Sequence, residues 1–146
     1  TGSSEKLEKI DGLAVDAKAD YKHTVDWDRA AIEFTGGKGV DHVVEVGGAG
    51  TLPQSINAAR IGGHVALIGA LTGAAGFNPI SVFMKAIRLQ GIFVGSRRMF
   101  EDMNRAVSAN KLRPVIDRVF EFGEAGEALR YMESGSHFGK IVVKIG

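Results

Sequence analysis

Three runs of apolar residues punctuate the middle of the chain, over residues 40–46, 64–69 and 87–95. Each is short, rich in Val and Ile, and closed by glycine: Gly47-Gly48, Gly69 and Gly95. Short, β-branched, glycine-bounded runs predict buried strands rather than helices. The intervals carry helical signals. Thr51-Leu52-Pro53 opens one helix with proline in its first turn, running to about residue 60, and a short helical segment follows near residues 81–85. Upstream, Leu7, Ile10 and Ala14 share one helical face, with Ser3 or Ser4 as its cap. Residues 19–23 read as one brief strand. Trp27, Ala30, Ala31 and Phe34 then recur at i, i+3, i+4 and i+7, the stripe of a helix that starts at Asp26 and ends in the glycines at 36, 37 and 39. After residue 96 the pattern predicts a helix over 101–110, a strand over 115–122, a helix over 124–134 and a last strand over 140–145.

Strands alternating with helices predict parallel βαβ units buried on both faces. Right-handed crossovers make these an α/β doubly wound parallel sheet. Composition agrees with one globular domain, since 45% of residues are hydrophobic and 24% charged. Eighteen Lys and Arg against 17 Asp and Glu leave a net charge of +1, which offers no electrostatic footprint for nucleic acid or an anionic membrane. With no cysteine there is neither a disulfide nor a thiolate metal site. Apolar runs all stop short of a membrane span and no signal-peptide pattern opens the chain, so a soluble, cytoplasmic location is expected.

Candidate chemistry follows from the strand ends. An open parallel sheet binds ligands at the carboxyl ends of its strands. Glycine there lets a flat ligand approach the backbone; alternatively it only turns the chain. The dinucleotide fingerprint G-x-G-x-x-G is missing: Gly48-Ala49-Gly50 continues as Thr51-Leu52-Pro53, and Gly37-Lys38-Gly39 precedes a strand. His23, His42, His64 and His137 show no metal-ligand spacing. Glu45, inside the first apolar strand, receives no catalytic role, and Trp27 and Phe34 are expected in the core rather than against a ligand.

Taken in order, Val40-Asp41-His42-Val43-Val44-Glu45-Val46-Gly47-Gly48, Gly62-Gly63-His64-Val65-Ala66-Leu67-Ile68-Gly69 and Gly91-Ile92-Phe93-Val94-Gly95-Ser96-Arg97 resemble the later cofactor-domain strands of medium-chain (zinc-type) alcohol dehydrogenases and quinone oxidoreductases. Pro114-Val115-Ile116-Asp117 and His137-Phe138-Gly139-Lys140-Ile141-Val142-Val143 are similar to that family's chain end. The resemblance implies a Rossmann-like sheet truncated on its N-terminal side. Residues 1–4 look like the end of the second strand, so the first βα unit with its Gly-rich turn, the catalytic domain and any zinc ligands would lie upstream. It implies a partial dinucleotide-binding domain over residues 1–112 and a segment, 113–146, that packs with the absent catalytic domain.

The implied activity is hydride transfer between nicotinamide and a small carbonyl, alcohol or enone in the full-length parent, with the fragment itself inactive. The implied cofactor contacts are Ser3, Ser4 and Lys6 at the adenosine ribose, Gly47 and Gly48 beside adenine and ribose, and Ile68, Gly69 and Ala70 at the nicotinamide. Val94, Gly95 and Ser96 would face the carboxamide, with Arg97 and Lys140 near the pyrophosphate. Hydroxyls and a lysine in place of an acid at the ribose favour NADP(H) over NAD(H). Zinc is possible in the parent, with no ligands in this chain. The strand over residues 87–95 resembles the sheet edge through which family dimers join, implying a homo-oligomer. Without its first strand, the strand over 40–46 would have an open edge, and the isolated fragment is expected to aggregate, rearrange or be completed by another copy. Two other readings are a non-catalytic dinucleotide-binding or self-associating module and, more remotely, a methyltransferase-like Rossmann domain, against which stands the lack of an acid after Ile68.

Overall fold

The computed structural model describes residues 2–69, 71–73 and 76–146. By its contacts the chain forms two compact units, Thr1–Val94 and Gly95–Gly146.

The first unit runs α1 (Ser4–Ile10), α2 (Trp27–Phe34), β1 (Val40–Glu45), α3 (Leu52–Ala58), β2 (Ala59–Leu67), α4 (Ile80–Met84) and β3 (Arg88–Gly91). The strands form one parallel sheet in the order β1-β2-β3. Consecutive parallel strands joined by helices are one half of a doubly wound, Rossmann-like sheet. The register pairs Val43 with Val65 and Glu45 with Leu67, then Val65 with Leu89 and Leu67 with Gly91.

Helix α3 supplies the core. Leu52, Ser55 and Ile56 sit at i, i+3 and i+4, so one face points inward. Leu52 and Ile56 pack with Ala59, Val65 and Ile87, flanked by Val43, Leu67, Val82 and Leu89. Polar bonds then lock α3 to its neighbours. The buried Asp28 of α2 accepts from Asn57 Nδ2 and, at 3.3 Å, from Gln54 Nε2. At the C-terminal end Lys85 Nζ donates to Asn57 O (2.6 Å) and Ile56 O (3.3 Å), a cation on the orphan carbonyls of the helix.

Several local expectations are corrected. Residues 19–23 form a turn, not a strand: Asp20 O accepts from the amides of His23 and Thr24, and Asp20 Oδ1 from that of Lys22 (3.0 Å). An aspartate that bonds the backbone two residues on stabilises a turn in place of a ladder. The strand expected over 87–95 is only four residues long. Its partner runs out: beyond Leu67 the amides of Ile68 and Gly69 both turn to Glu45 O (2.9 and 3.1 Å), and the bond from Ile92 N to Leu67 O lies at the end of the ladder. The helix ends at Ala58, because the next residue, Ala59, already pairs with Val40. Burial on both faces is also overturned. Val44, on the face of β1 opposite Val43, is 68% exposed, and Phe34 of α2, expected in the core, is 59% exposed.

The second unit comprises α5 (Arg97–Ala109), β4 (Ile116–Glu121), a 3-10 turn (Phe122–Glu124), α6 (Ala125–Glu133) and β5 (Lys140–Lys144). Here β4 and β5 pair in parallel. Helix α5 starts four residues before the expected helix, because the Ser96 hydroxyl accepts from Met99 N at 3.3 Å and caps it. Asp117 of β4 accepts from Tyr131 Oη (2.7 Å) and Phe138 N (3.1 Å). Gly139 has φ +97°, and a Cβ there would lie 2.4 Å from Val115 O, so only glycine passes at this crossing.

Two outcomes are expected. Ile56→Ala should cost about 2–5 kcal/mol, the usual range for emptying a core site, read as a lowered urea midpoint. The isolated 146-residue chain should associate through the bare apolar face of β1, which light scattering would report as a mass above the monomer; a stable monomer would contradict this.

Candidate cofactor-binding site

The site begins with a charge in an apolar strand. Glu45 ends β1 and is only 3% exposed, so its carboxylate needs strong partners. Oε1 accepts from Gly47 N (2.7 Å), Gly48 N (2.8 Å) and Thr51 Oγ1 (2.6 Å). Oε2 accepts from Ser55 Oγ. Burial works to raise the pKa of this carboxyl, but the donors from Ser55, Thr51, Gly48 and Gly47 outweigh it and hold the pKa below the ordinary value.

From the other side Thr72 closes on the same turn. Its amide and hydroxyl donate to Gly47 O at 3.1 and 2.9 Å, and Gly50 N donates to Thr72 Oγ1 at 2.7 Å. The next strand end presses in as well, since a Cβ on Gly69 would lie 1.8 Å from Val46 O. Gly47 is constrained similarly, its notional Cβ lying 2.4 Å from Thr51 Oγ1. At both positions the chain's own packing demands glycine, whatever a ligand adds.

Gly47, Gly48, Ile68 and Gly69 are thus brought together at the carboxyl ends of β1 and β2. Val94 is exposed at the end of the same unit. Ser3 caps α1, its hydroxyl accepting from Lys6 N at 3.4 Å, and Ser4 Oγ donates to Asp20 Oδ2 at 3.4 Å. Lys6 is half-buried on α1. Ala70 lies outside the described residues. In the second unit Ser96 caps α5, and Gly95 has an exposed backbone. Arg97 is 91% exposed and bonded to Glu101 at 2.9 Å, while Lys140 opens β5 with an exposed side chain. Sequence reasoning missed Glu45, Thr51, Ser55 and Thr72. The signal was present in part: a lone acid in a Val-rich strand, followed by hydroxyls six and ten residues on.

Beside β1 lies an open trough of about 1210 Å³. Trp27, Ala30, Ala31 and Phe34 of α2 form one wall, and Val44 of β1 and Val46 just beyond its end line the trough as well. Glu45, Thr51 and Ser55 line it too, beside Thr72. Among the described residues there is no group of three or more His, Asp or Glu able to hold a metal. His42 and His64 meet edge to face at 5.8 Å across the sheet without a third ligand. Among the described residues, no helix is long and apolar enough to cross a membrane.

Comparison with known proteins decides the family. The model of the zinc-binding dehydrogenases matches residues 13–143. The chain belongs to that family. It is 38% identical, over 99% of its length and 43% of the relative's, to the zinc-type alcohol dehydrogenase-like protein C1773.06c of Schizosaccharomyces pombe. It is 30% identical to a 2-haloacrylate reductase of a Burkholderia species, covering 97% of this chain and 45% of that one. Among solved structures, an NAD-dependent alcohol dehydrogenase superposes with TM-score 0.86 at 31% identity, covering all of this chain and 43% of its own. The chain therefore spans less than half the length of these relatives. The family and its Rossmann-like fold agree with the resemblance read from the strand runs.

The Glu45 network sets a pH dependence. Its carboxyl pKa is lower folded than unfolded, so its stabilisation is present above the unfolded value of about 4.3 and is lost as pH falls through the folded value. From about pH 6 to about pH 3, wild-type urea midpoints should fall more steeply than those of Glu45→Gln, which has no charge to lose there.

Proposed function

We propose that these residues are the later part of the cofactor domain of an NAD(P)-dependent oxidoreductase, which moves hydride between nicotinamide and a small carbonyl, alcohol or enone. The observation that carries the reading is the gathering of Gly47, Gly48, Ile68 and Gly69 at adjoining strand ends of a parallel sheet, the place where such sheets take ligands. When bound, the nicotinamide supplies or accepts the hydride. The chain's own part is to hold and orient the dinucleotide: Ile68, Gly69 and Ala70 with Val94, Gly95 and Ser96 toward the nicotinamide, Gly47 and Gly48 toward the adenosine, and Arg97 and Lys140 as cations for the pyrophosphate.

The dinucleotide is NADP(H) in preference to NAD(H). In support, Ser3, Ser4 and Lys6 cluster at the start of α1, where hydroxyls and a cation suit a 2′-phosphate. The S. pombe and Burkholderia relatives make alcohol dehydrogenation and reduction of an activated double bond the two reaction types to compare. Any zinc would be held outside these residues, the 113–146 segment would pack with a catalytic domain, and the chain alone would be inactive. The exposed Ile92, Phe93 and Val94 that continue the β3 edge favour self-association of two copies there. That exposed run also supports the second reading, a self-associating module without catalysis.

The test is steady-state oxidation of NADPH and NADH by the full-length protein containing these residues, with aldehyde, quinone and enone panels, beside the 146-residue chain. Turnover by the longer protein alone is the expected result. Neither dinucleotide being consumed or bound would leave the self-associating module. Within an active enzyme, Lys6→Glu should weaken NADPH about tenfold while sparing NADH, a loss equivalent to about 1.4 kcal/mol.

A further inference from the structure

The turn that follows β1 cannot hold its own shape. Val46-Gly47-Gly48-Ala49-Gly50 contains three glycines and no polar side chain, so the free segment samples a wide range of conformations. Order has to be imposed from outside it, and the acceptor that reaches two of its amides is the buried Glu45. Thr51, the N-cap of α3, makes no side-chain cap to the helix, and its hydroxyl donates to Glu45 Oε1. One turn later Ser55 holds the second oxygen. The carboxylate therefore ties strand end, turn and helix start at a single point, while its burial keeps it from acting on a reacting atom itself.

We infer that Glu45 is the positioning residue of the dinucleotide site: by accepting from Gly47, Gly48, Thr51 and Ser55 together, it holds the glycine turn in the conformation that receives the nicotinamide dinucleotide. The inference rests on the reading under Proposed function. It also accounts for the Gly47 and Gly48 amides, which are engaged by this internal carboxylate, so the turn meets the cofactor through its shape rather than through those two donors.

The experiment compares Glu45→Ala and Glu45→Gln in the full-length enzyme, reading the KM for NADPH and NADH alongside the thermal midpoint. A glutamine oxygen can keep the three donors on Oε1 while its amide donates to Ser55 Oγ, whose hydroxyl accepts equally well. Glu45→Ala is expected to raise the dinucleotide KM about tenfold or more, with Glu45→Gln returning it to within about threefold of wild type. A residue that served stability alone would lower the thermal midpoint in Glu45→Ala and leave the KM of the folded enzyme unchanged. Should Glu45→Ala fail to fold, Thr51→Val and Ser55→Ala each remove one donor from the same carboxylate and should both raise that KM. An unchanged KM in the alanine variant, no rescue by glutamine, or unchanged KM in both donor variants overturns the role of Glu45 in an active enzyme. A wild-type enzyme that uses neither dinucleotide overturns the proposed function, and this inference with it.

Discussion

A carboxylate buried at the end of an apolar strand is a demanding thing to build around. Left unpaired it would cost several kcal/mol in desolvation, and removing any one of its donors exposes part of that cost. In this chain the demand is met by recruiting almost everything near it. Two turn amides, the first hydroxyl of α3 and a second hydroxyl one turn along the same helix all point at Glu45. Its backbone carbonyl takes the amides of Ile68 and Gly69 as β2 ends. The geometry of both strand ends thus depends on one side chain and its peptide.

Helix α3 extends that point outward. Its apolar face fills the core against Val65 and Ile87, while Gln54 and Asn57 reach Asp28 and its last carbonyls take Lys85. Burial works to raise the pKa of Asp28, but Asn57, its own amide, Gln54 and the Arg29 amide hold it below the ordinary value. For Lys85 burial dominates and lowers the pKa, with Asp28 opposing. A seven-residue helix has little intrinsic stability. It persists here because its core face, its polar side chains and its last carbonyls are held by tertiary partners.

On the far side of β1 the balance is different. Val44 and Val46 face an open trough whose opposite wall is the apolar stripe of α2. An amphipathic helix and a valine-rich strand that leave a gap between them are both shaped for burial, and here neither achieves it on that face. The same sheet has its other edge at β3, where Phe93 and Val94 follow exposed.

Much of the architecture was legible in the residues themselves. The strand runs, the helical stripe at Trp27, the Ser3 cap and the parallel α/β class all follow from periodicity and capping, which are local properties that a sequence carries directly. The family too was legible, because the ordered strand-end runs occur together. Tertiary structure alone decided the rest. Residues 19–23 became a turn through an aspartate side chain, and β3 stopped at Gly91 because β2 turned away, a fact about a partner strand rather than about residues 92–95. Above all, the arrangement around Glu45 was only hinted at along the chain, by a lone acid in a valine-rich strand. Its donors lie two, three, six and ten residues away, and only folding brings them to one pair of oxygens, where a charge that looks misplaced in a strand becomes the group that the strand ends are arranged around.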